Sequence, residues 1–327
     1  MTVSSRRDED SHDSPLVLVA MGGHAFMADG ERGTIQDHKR NAARIAGLLM
    51  TLVEGGHDLV ITHGNGPQVG ALLRQQEMAG AEVPPMPLDV LVGMTEGSLG
   101  YILQQALLNE LRERDSHRWV VTMVTQVVVD EADPAFENPN KPIGPFLSRE
   151  EALRRSDTLG WTVREDSGRG WRRFVPSPRP RRVIQKQMIR QAARRGHIVV
   201  AAGGGGIPVR ADARGRYEGV EAVVDKDLTS SVLATELGAS LLVILTAVPC
   251  VYTDFGTPDQ RPLGAVTLEE LERLTDEGHF PPGSMGPKVD SVIHFLKSGG
   301  RRALITDPES LPRAIQGRGG THFVGRV

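Results

Sequence analysis

The sequence predicts an α/β fold with a mainly parallel central sheet. Three observations carry that reading. Short, continuous apolar runs recur along the chain, as strands covered on both faces require. They alternate with segments whose apolar residues recur at helical spacing. Several runs end directly in glycine-rich loops, and ligands of open α/β sheets bind at that edge.

The elements follow in order. "PLVLVAMGG" (Pro15 to Gly23) reads as a buried strand and a loop. "RNAARIAGLLMTLVEGG" places Ile45, Leu48, Leu49, Leu52 and Val53 on one helical face, and Gly55-Gly56 ends it. "DLVITHGNG" is a second strand with its loop. The long segment "LDVLVGMTEGSLGYILQQALLNELRER" is mostly helical in pattern, and "WVVTMVTQVVVD" (Trp119 to Asp130) reads as a third strand. Residues 135–180 differ: they are rich in Pro, Gly, Arg and Trp, with poor apolar periodicity. One short helix opens there at "SREE", a capping-box pattern at Ser148. This stretch reads as a small subdomain or lid projecting from the main sheet. Alternation resumes with "GHIVVAAGGGG", "DLTSSVLATELGA", "SLLVILTAV", "TLEELERL" (a second box, at Thr267), "KVDSVIHFLKSGG" and "RRALITD".

The totals narrow the function. A chain of 327 residues with 39% hydrophobic content can bury a large core. A net charge of -3 gives no reason to expect nucleic acid or an acidic membrane surface as partner. Cys250 is the single cysteine, which excludes an intrachain disulfide, a two-thiol motif and a cysteine metal cluster. A reducing, cytoplasmic location is expected, although a cysteine-poor secreted protein fits the same count. Residues 1–14 are polar and read as a disordered tail, not a secretory signal. No window approaches the ~18 apolar residues of a membrane helix.

Three glycine loops follow three strands: Gly22-Gly23, Gly64-Asn65-Gly66, and Gly203 to Gly206 with Gly204 and Gly205 at its centre. Any one of them serves equally as a tight turn. Three at equivalent ends of one sheet suit a polyphosphate and a second anion, because glycine exposes backbone N–H groups and admits close approach. None matches the P-loop, which needs Gly-Lys-Ser/Thr, and none fits the dinucleotide fingerprint. Lysines are the second ingredient. In a chain that favours arginine, Lys141 ("NPNKPIGPF"), Lys226 ("VVDKDLTSS") and Lys288 ("GSMGPKVDS") stand among prolines, glycines or acids. Fixed positive charges of this kind are what phosphoryl transfer needs around the moving group. Each alone also reads as a solvated surface residue. Asp225 and Asp227 flank Lys226, and such acids either orient that ammonium and a second lysine, cap the helix that begins at "LTSSVLA", or do both.

Together "ITHGNGPQVG", "NPNKPIGPF", "EDSGRGWRRFVPSPRP", "GGGGIPV", "GVEAVVDKDL" and "GSMGPKV", in this order, resemble carbamate kinase of the amino acid kinase superfamily, from about Val17 to the end. The resemblance implies a three-layer αβα sandwich for residues 15–327, usually a homodimer. The acceptor half would span about 15–200 and the nucleotide half about 201–327. It implies reversible phosphoryl transfer between ATP and carbamate, with Mg²⁺ accompanying ATP or ADP and no metal held by the protein alone. Carried over, Lys141, Lys226 and Lys288 would stabilise the transferring phosphoryl, and Asp227 would organise the lysines. Gly22, Gly23, His24, Gly64, Asn65, Gly66, Gly204 and Gly205 would line the phosphate and acceptor side. Thr246, Val248, Tyr252, Met285 and Lys288 would lie near the nucleotide.

Two positions depart from the pattern. "GGHAF" has His24 where the family usually has Asn, and "MTEGSLGY" has Glu96 where it usually has Gln. A carboxylate close to bound carbamate would repel it. Either Glu96 is paired or turned away, or the acceptor is another small acid. A coupled His24–Glu96 pair is one expectation. A non-catalytic nucleotide-binding regulator is the alternative of another class, disfavoured by the joint presence of Lys141, Lys226, Asp227 and Lys288.

Overall fold

The computed structural model describes residues 14–22, 25–28, 30–80, 82–166, 168–281 and 285–325. Residues 1–13 of the expected tail (1–14) lie outside them, as do Gly23 and His24.

The central sheet has eight strands. In spatial order they are Ala265–Thr267, Thr321–Val324, Arg302–Thr306, Leu241–Leu245, Leu16–Met21, Asp58–His63, Ile198–Ala201 and Val120–Met123. Every neighbouring pair is parallel except Thr321–Val324 against Arg302–Thr306. Alternate side chains of one strand enter opposite cores. Leu16, Leu18 and Ala20 pack with the helices Lys186–Arg194, Lys226–Leu237 and Gly286–Lys297. Val17, Val19 and Met21 pack with Ile35–Glu54 and Leu88–Glu113. Two apolar faces per strand explain the unbroken apolar runs, and the result is the three-layer sandwich.

Local chemistry sets the helix ends. Ile35–Glu54 starts at Thr34, whose hydroxyl accepts from Asp37 N while Asp37 reaches back to the Thr34 backbone. This reciprocal box lies outside the two expected from the sequence. At Ser148 and Thr267 the hydroxyl accepts from Glu151 N and Glu270 N respectively.

The apolar run 119–130 forms two strands, not one. Val120–Met123 is the edge of the main sheet, and Gln126–Val129 belongs to a four-stranded sheet with Tyr217–Gly219, Ile207–Ala211 and Pro180–Val183. The break has a cause. Thr125 N donates to Glu96 Oε2 and Gln126 N to Gln185 Oε1, so both amides leave the first ladder.

Within residues 135–180, Lys141–Leu147, Trp171–Val175 and Thr162–Glu165 form an antiparallel sheet, with the helix Arg149–Leu159 between the first and second of these along the chain. Its composition is explained by stacking. Arg155 and Arg173 lie over Trp161, and Arg169 and Arg172 over Phe146, so cation–π contacts supplement a thin apolar core. The sheet sits on the helix Gly66–Ala79 at a bare backbone contact. A Cβ on Gly70 would lie 2.5 Å from Gly144 Cα, so only glycine fits there.

Candidate active site

Parallel strands deliver their carboxyl ends to one edge, and the glycine loops meet there. The first two loops are joined through Gly64 N, which donates to Met21 O, just ahead of Gly22. The second and third touch directly. Gly204 has φ +67°, and a Cβ there would stand 2.1 Å from Asn65 Nδ2. Asn65 is held in turn by donating Nδ2–H to Thr95 Oγ1 at 2.8 Å, and Thr95 donates to Val92 O. Gly66 opens the next helix, as an anion-binding loop would require. A Cβ on Gly205 would meet Val224 O at 2.3 Å and Lys226 N at 3.3 Å, so the third loop lies against the start of the helix Lys226–Leu237.

Beside that helix start the three expected lysines gather around two carboxylates. Lys226 Nζ lies 2.5 Å from Asp227 Oδ1, and Lys288 Nζ 3.5 Å from Asp227 Oδ2. Asp227 is 3% exposed, so this is a desolvated cluster. Lys141, from the projecting sheet, places Nζ 2.7 Å from Asp225 Oδ2. Of the two acids that the sequence offers as cap, Asp225 takes the role. Its Oδ1 accepts from the N–H groups of Asp227 and Leu228, and Asp227 is left to the lysines.

The electrostatics follow from this packing. Burial lowers the Lys226 pKa, Asp227 opposes it and the like charge of Lys288 adds to it; the net result is a lowered value. Burial also acts to lower Lys141, but Asp225 outweighs it and raises the ammonium above its ordinary value. Asp225 is pushed up by burial and pulled down further by Lys141 and Lys226, ending below the usual carboxylate range. The cluster thus holds its charges by mutual pairing, with ammonium groups at an edge where an anion would arrive.

Behind the loops sit two buried groups. His63, 1% exposed, has Nδ1 3.1 Å from Gly64 O and its ring edge against Phe26. Burial takes its pKa down to about 4, so the imidazole is neutral. Glu96, also 1% exposed, accepts from Thr125 N through Oε2, while Oε1 has no hydrogen-bond partner. The two flank Gly203: a Cβ there would lie 2.7 Å from His63 Nε2 and 3.1 Å from Glu96 Cγ. The expected His24–Glu96 pair has one member outside the described residues.

The nucleotide candidates lie farther along the same edge. Thr246 continues the strand Leu241–Leu245 and donates its N–H to Thr306 O. Val248 and Met285 are half-buried, and the Tyr252 ring stands 5.8 Å from that of Phe255. Among the described residues no group of three or more His, Cys, Asp or Glu side chains could cage a metal ion.

A model described as the amino acid kinase family matches residues 15–307. The chain belongs to the amino acid kinase family. A carbamate kinase from Thermococcus kodakarensis is 46% identical over 312 residues, covering 94% of this chain and 98% of the relative. The carbamate kinase-like protein YahI of Escherichia coli is 43% identical over 313 residues, covering 94% and 98%. The solved structure of a Giardia lamblia carbamate kinase bound to AMP-PNP superposes with a TM-score of 0.90 at 37% identity, covering 96% of this chain and 99% of that one. These relatives place this amino acid kinase beside the carbamate kinases. Sequence reasoning did not foresee that Lys141 is the partner of Asp225, and it did not single out Thr95 or Thr125. Their roles depend on contacts 84, 30 and 29 residues apart, for which a single sequence gives no signal.

Proposed function

We propose that this chain is an ATP-dependent carbamate kinase, transferring a phosphoryl group reversibly between ATP and carbamate. The carrying observation is the convergence of Lys226 and Lys288 on Asp227 beside three glycine loops. In this reading the loops Gly22, Gly64–Gly66 and Gly204–Gly205 cradle the phosphoryl and acceptor with backbone N–H groups. Lys141, Lys226 and Lys288 neutralise charge on the equatorial and bridging oxygens, and Asp227 keeps two of them in place. Carbamate is already an anionic nucleophile, so no general base is required. Catalysis is then positioning and electrostatics.

The nucleotide lies toward Thr246, Val248, Tyr252 and Met285 in the C-terminal half, about 201–327, and the acceptor in the half of about 15–200. Mg²⁺ enters with the nucleotide and supplies charge neutralisation on its phosphates. Asp227 is occupied by two lysines, which suits an ion held mainly by substrate phosphates and water. The sheet of residues 141–175 acts as a lid that carries Lys141. The assembly is a homodimer. Val90, Met94 and Tyr101 form an exposed stripe on the helix Leu88–Glu113, next to the edge strand Val120–Met123 and the exposed Trp119 and Val124. The location is cytoplasmic; no helix among the described residues is long and apolar enough to cross a membrane.

The test is purified protein with ADP, Mg²⁺ and carbamoyl phosphate, with ATP formation followed by a coupled assay. Turnover dependent on carbamoyl phosphate supports the reading. Nucleotide binding without turnover points instead to a regulator. Buried Glu96, standing where the family usually has Gln, favours a second reading, in which another small acid is the acceptor. ATP consumption with other carboxylates, and none with carbamate, would favour that reading.

A further inference from the structure

Glu96 lies on the floor of the candidate cleft, in the third turn of the helix Leu88–Glu113. Thr95, the preceding residue, holds Asn65 of the second glycine loop. Glu96 itself holds the Thr125 amide, and Thr125 in turn receives Ala202 N–H on its hydroxyl at 3.0 Å, at the base of the third loop. One helical turn therefore supports both loops. Among the described residues, Glu96 forms no ion pair with Lys, Arg or His.

Among the described residues, the groups packed around it are few. From the strand Asp58–His63 comes His63, neutral for the reason given above. From the 120–126 segment come Thr125 and the backbone, and from the third loop Gly203. On the far side of that loop, Lys226 is committed to Asp227. Burial raises Glu96 well above the ordinary carboxyl range, outweighing the Thr125 N–H that it accepts and the nearby Gly203 N–H, both of which favour the ionised form.

We propose that Glu96 is a positioning residue that works as a neutral carboxylic acid, with Oε2 holding Thr125 N–H beneath the glycine loops and the proton on Oε1, the oxygen with no hydrogen-bond partner among the described residues. In this form it reproduces the neutrality and shape of an amide. The kinase then meets no negative charge on its cleft floor while an anionic acceptor is bound. When the acid ionises, an uncompensated charge appears beneath the loops and repels the anion. This rests on the kinase reading for its consequence in catalysis, but not for the protonation itself.

The experiment has two arms. In the first, unliganded wild-type protein carrying ¹³C-labelled glutamate carboxyls is titrated by NMR, with Glu96→Gln to assign the resonance. One glutamate should remain protonated through neutral pH and be missing from the variant. If every glutamate titrates in the ordinary acid range, the proposal is wrong, whatever the protein catalyses. Because the wild type alone answers this, a variant that fails to fold does not block it.

The second arm follows kcat and KM for carbamoyl phosphate against pH. In the wild type KM should climb on the alkaline side by roughly tenfold, the size expected of one uncompensated charge held close to an anion in a partly dry cleft. Glu96→Gln should show no such climb, and Glu96→Ala should be impaired across the whole range. Parallel KM profiles for wild type and Glu96→Gln would overturn the proposal. Failure of every form to use carbamoyl phosphate would remove the kinase reading and leave the first arm to decide the protonation.

Discussion

Lys141 and Asp225 meet at 2.7 Å although 84 residues separate them along the chain. One stands on the projecting sheet and the other caps a helix of the central sandwich. The pair therefore ties a peripheral element to the helix start that carries Lys226 and Asp227. Lys141→Ala should lower kcat by on the order of 10²-fold, as loss of a fixed charge at the transferring group does. Asp225→Asn should cost less, because an amide oxygen still caps the helix while the ion pair is lost. A double-mutant cycle on kcat/KM checks this: strong non-additivity is expected, and additive effects would mean that the contact does not position Lys141.

Lys226→Ala and Lys288→Ala are each expected to reduce turnover by on the order of 10²-fold or more with the fold retained. Asp227→Asn should do comparable damage by another route, since two neighbouring ammonium groups would then lack their shared carboxylate. Circular dichroism together with steady-state kinetics separates loss of chemistry from loss of fold. Wild-type turnover in any one of the three would remove that residue from the mechanism.

Gly204→Ala tests the contact between loops. The new methyl would collide with Asn65 Nδ2 at a position whose φ is +67°, and the backbone strain alone is about 1–3 kcal/mol. We expect a lower melting temperature and a larger loss in kcat/KM than stability explains, because Asn65 must move. Gly256→Ala, at a positive-φ glycine with open space around it, is the control. It shares the strain and should leave kcat/KM intact.

His63 should make the protein acid-sensitive. Its folded pKa of about 4 lies below the unfolded value, so between about 6.5 and 4 the unfolded chain binds the extra proton. Stability then falls as pH is lowered through that window, by about 2–4 kcal/mol in all. Chemical denaturation at a series of pH values should show a shallower slope for His63→Gln over the same range. Equal slopes would mean that His63 titrates normally.

The lid reading predicts slower hydrogen exchange across residues 141–175 when nucleotide and carbamoyl phosphate are both present. Gly70→Ala should unseat the same sheet, because the methyl would enter Gly144 Cα. Exchange that is equal with and without ligands would count against closure.

Much of this was legible in the sequence because buried parallel strands leave unbroken apolar runs, and because glycines and prolines set three lysines apart in an arginine-rich chain. What was hidden depended on distant partners. The run 119–130 carries no internal sign that Thr125 and Gln126 turn away to Glu96 and Gln185. Asp225 and Asp227 are chemically identical two residues apart, and only the geometry of the helix start shows which caps and which pairs with lysine. Ala265–Thr267 and Thr321–Val324 are too short for a periodicity of their own, and they exist as strands because an edge of the sheet was open to them. At Glu96 a carboxylate in place of the amide usual in the resembling family stood out at once, but whether it was solvated, paired or neutral needed the third dimension.

The position of the first strand has a consequence for biosynthesis. Leu16–Met21 lies between Asp58–His63 and Leu241–Leu245. As the chain leaves the ribosome, one flank of this strand is paired early, while the other waits for residues 241–245. At roughly 5–20 residues per second that wait is on the order of tens of seconds. Throughout it, a nascent chain presents an unpaired, wholly apolar strand edge, the kind of surface that recruits other chains. Yield in a heterologous host should therefore respond to translation rate and to chaperone supply more strongly than the melting temperature of the finished protein would suggest.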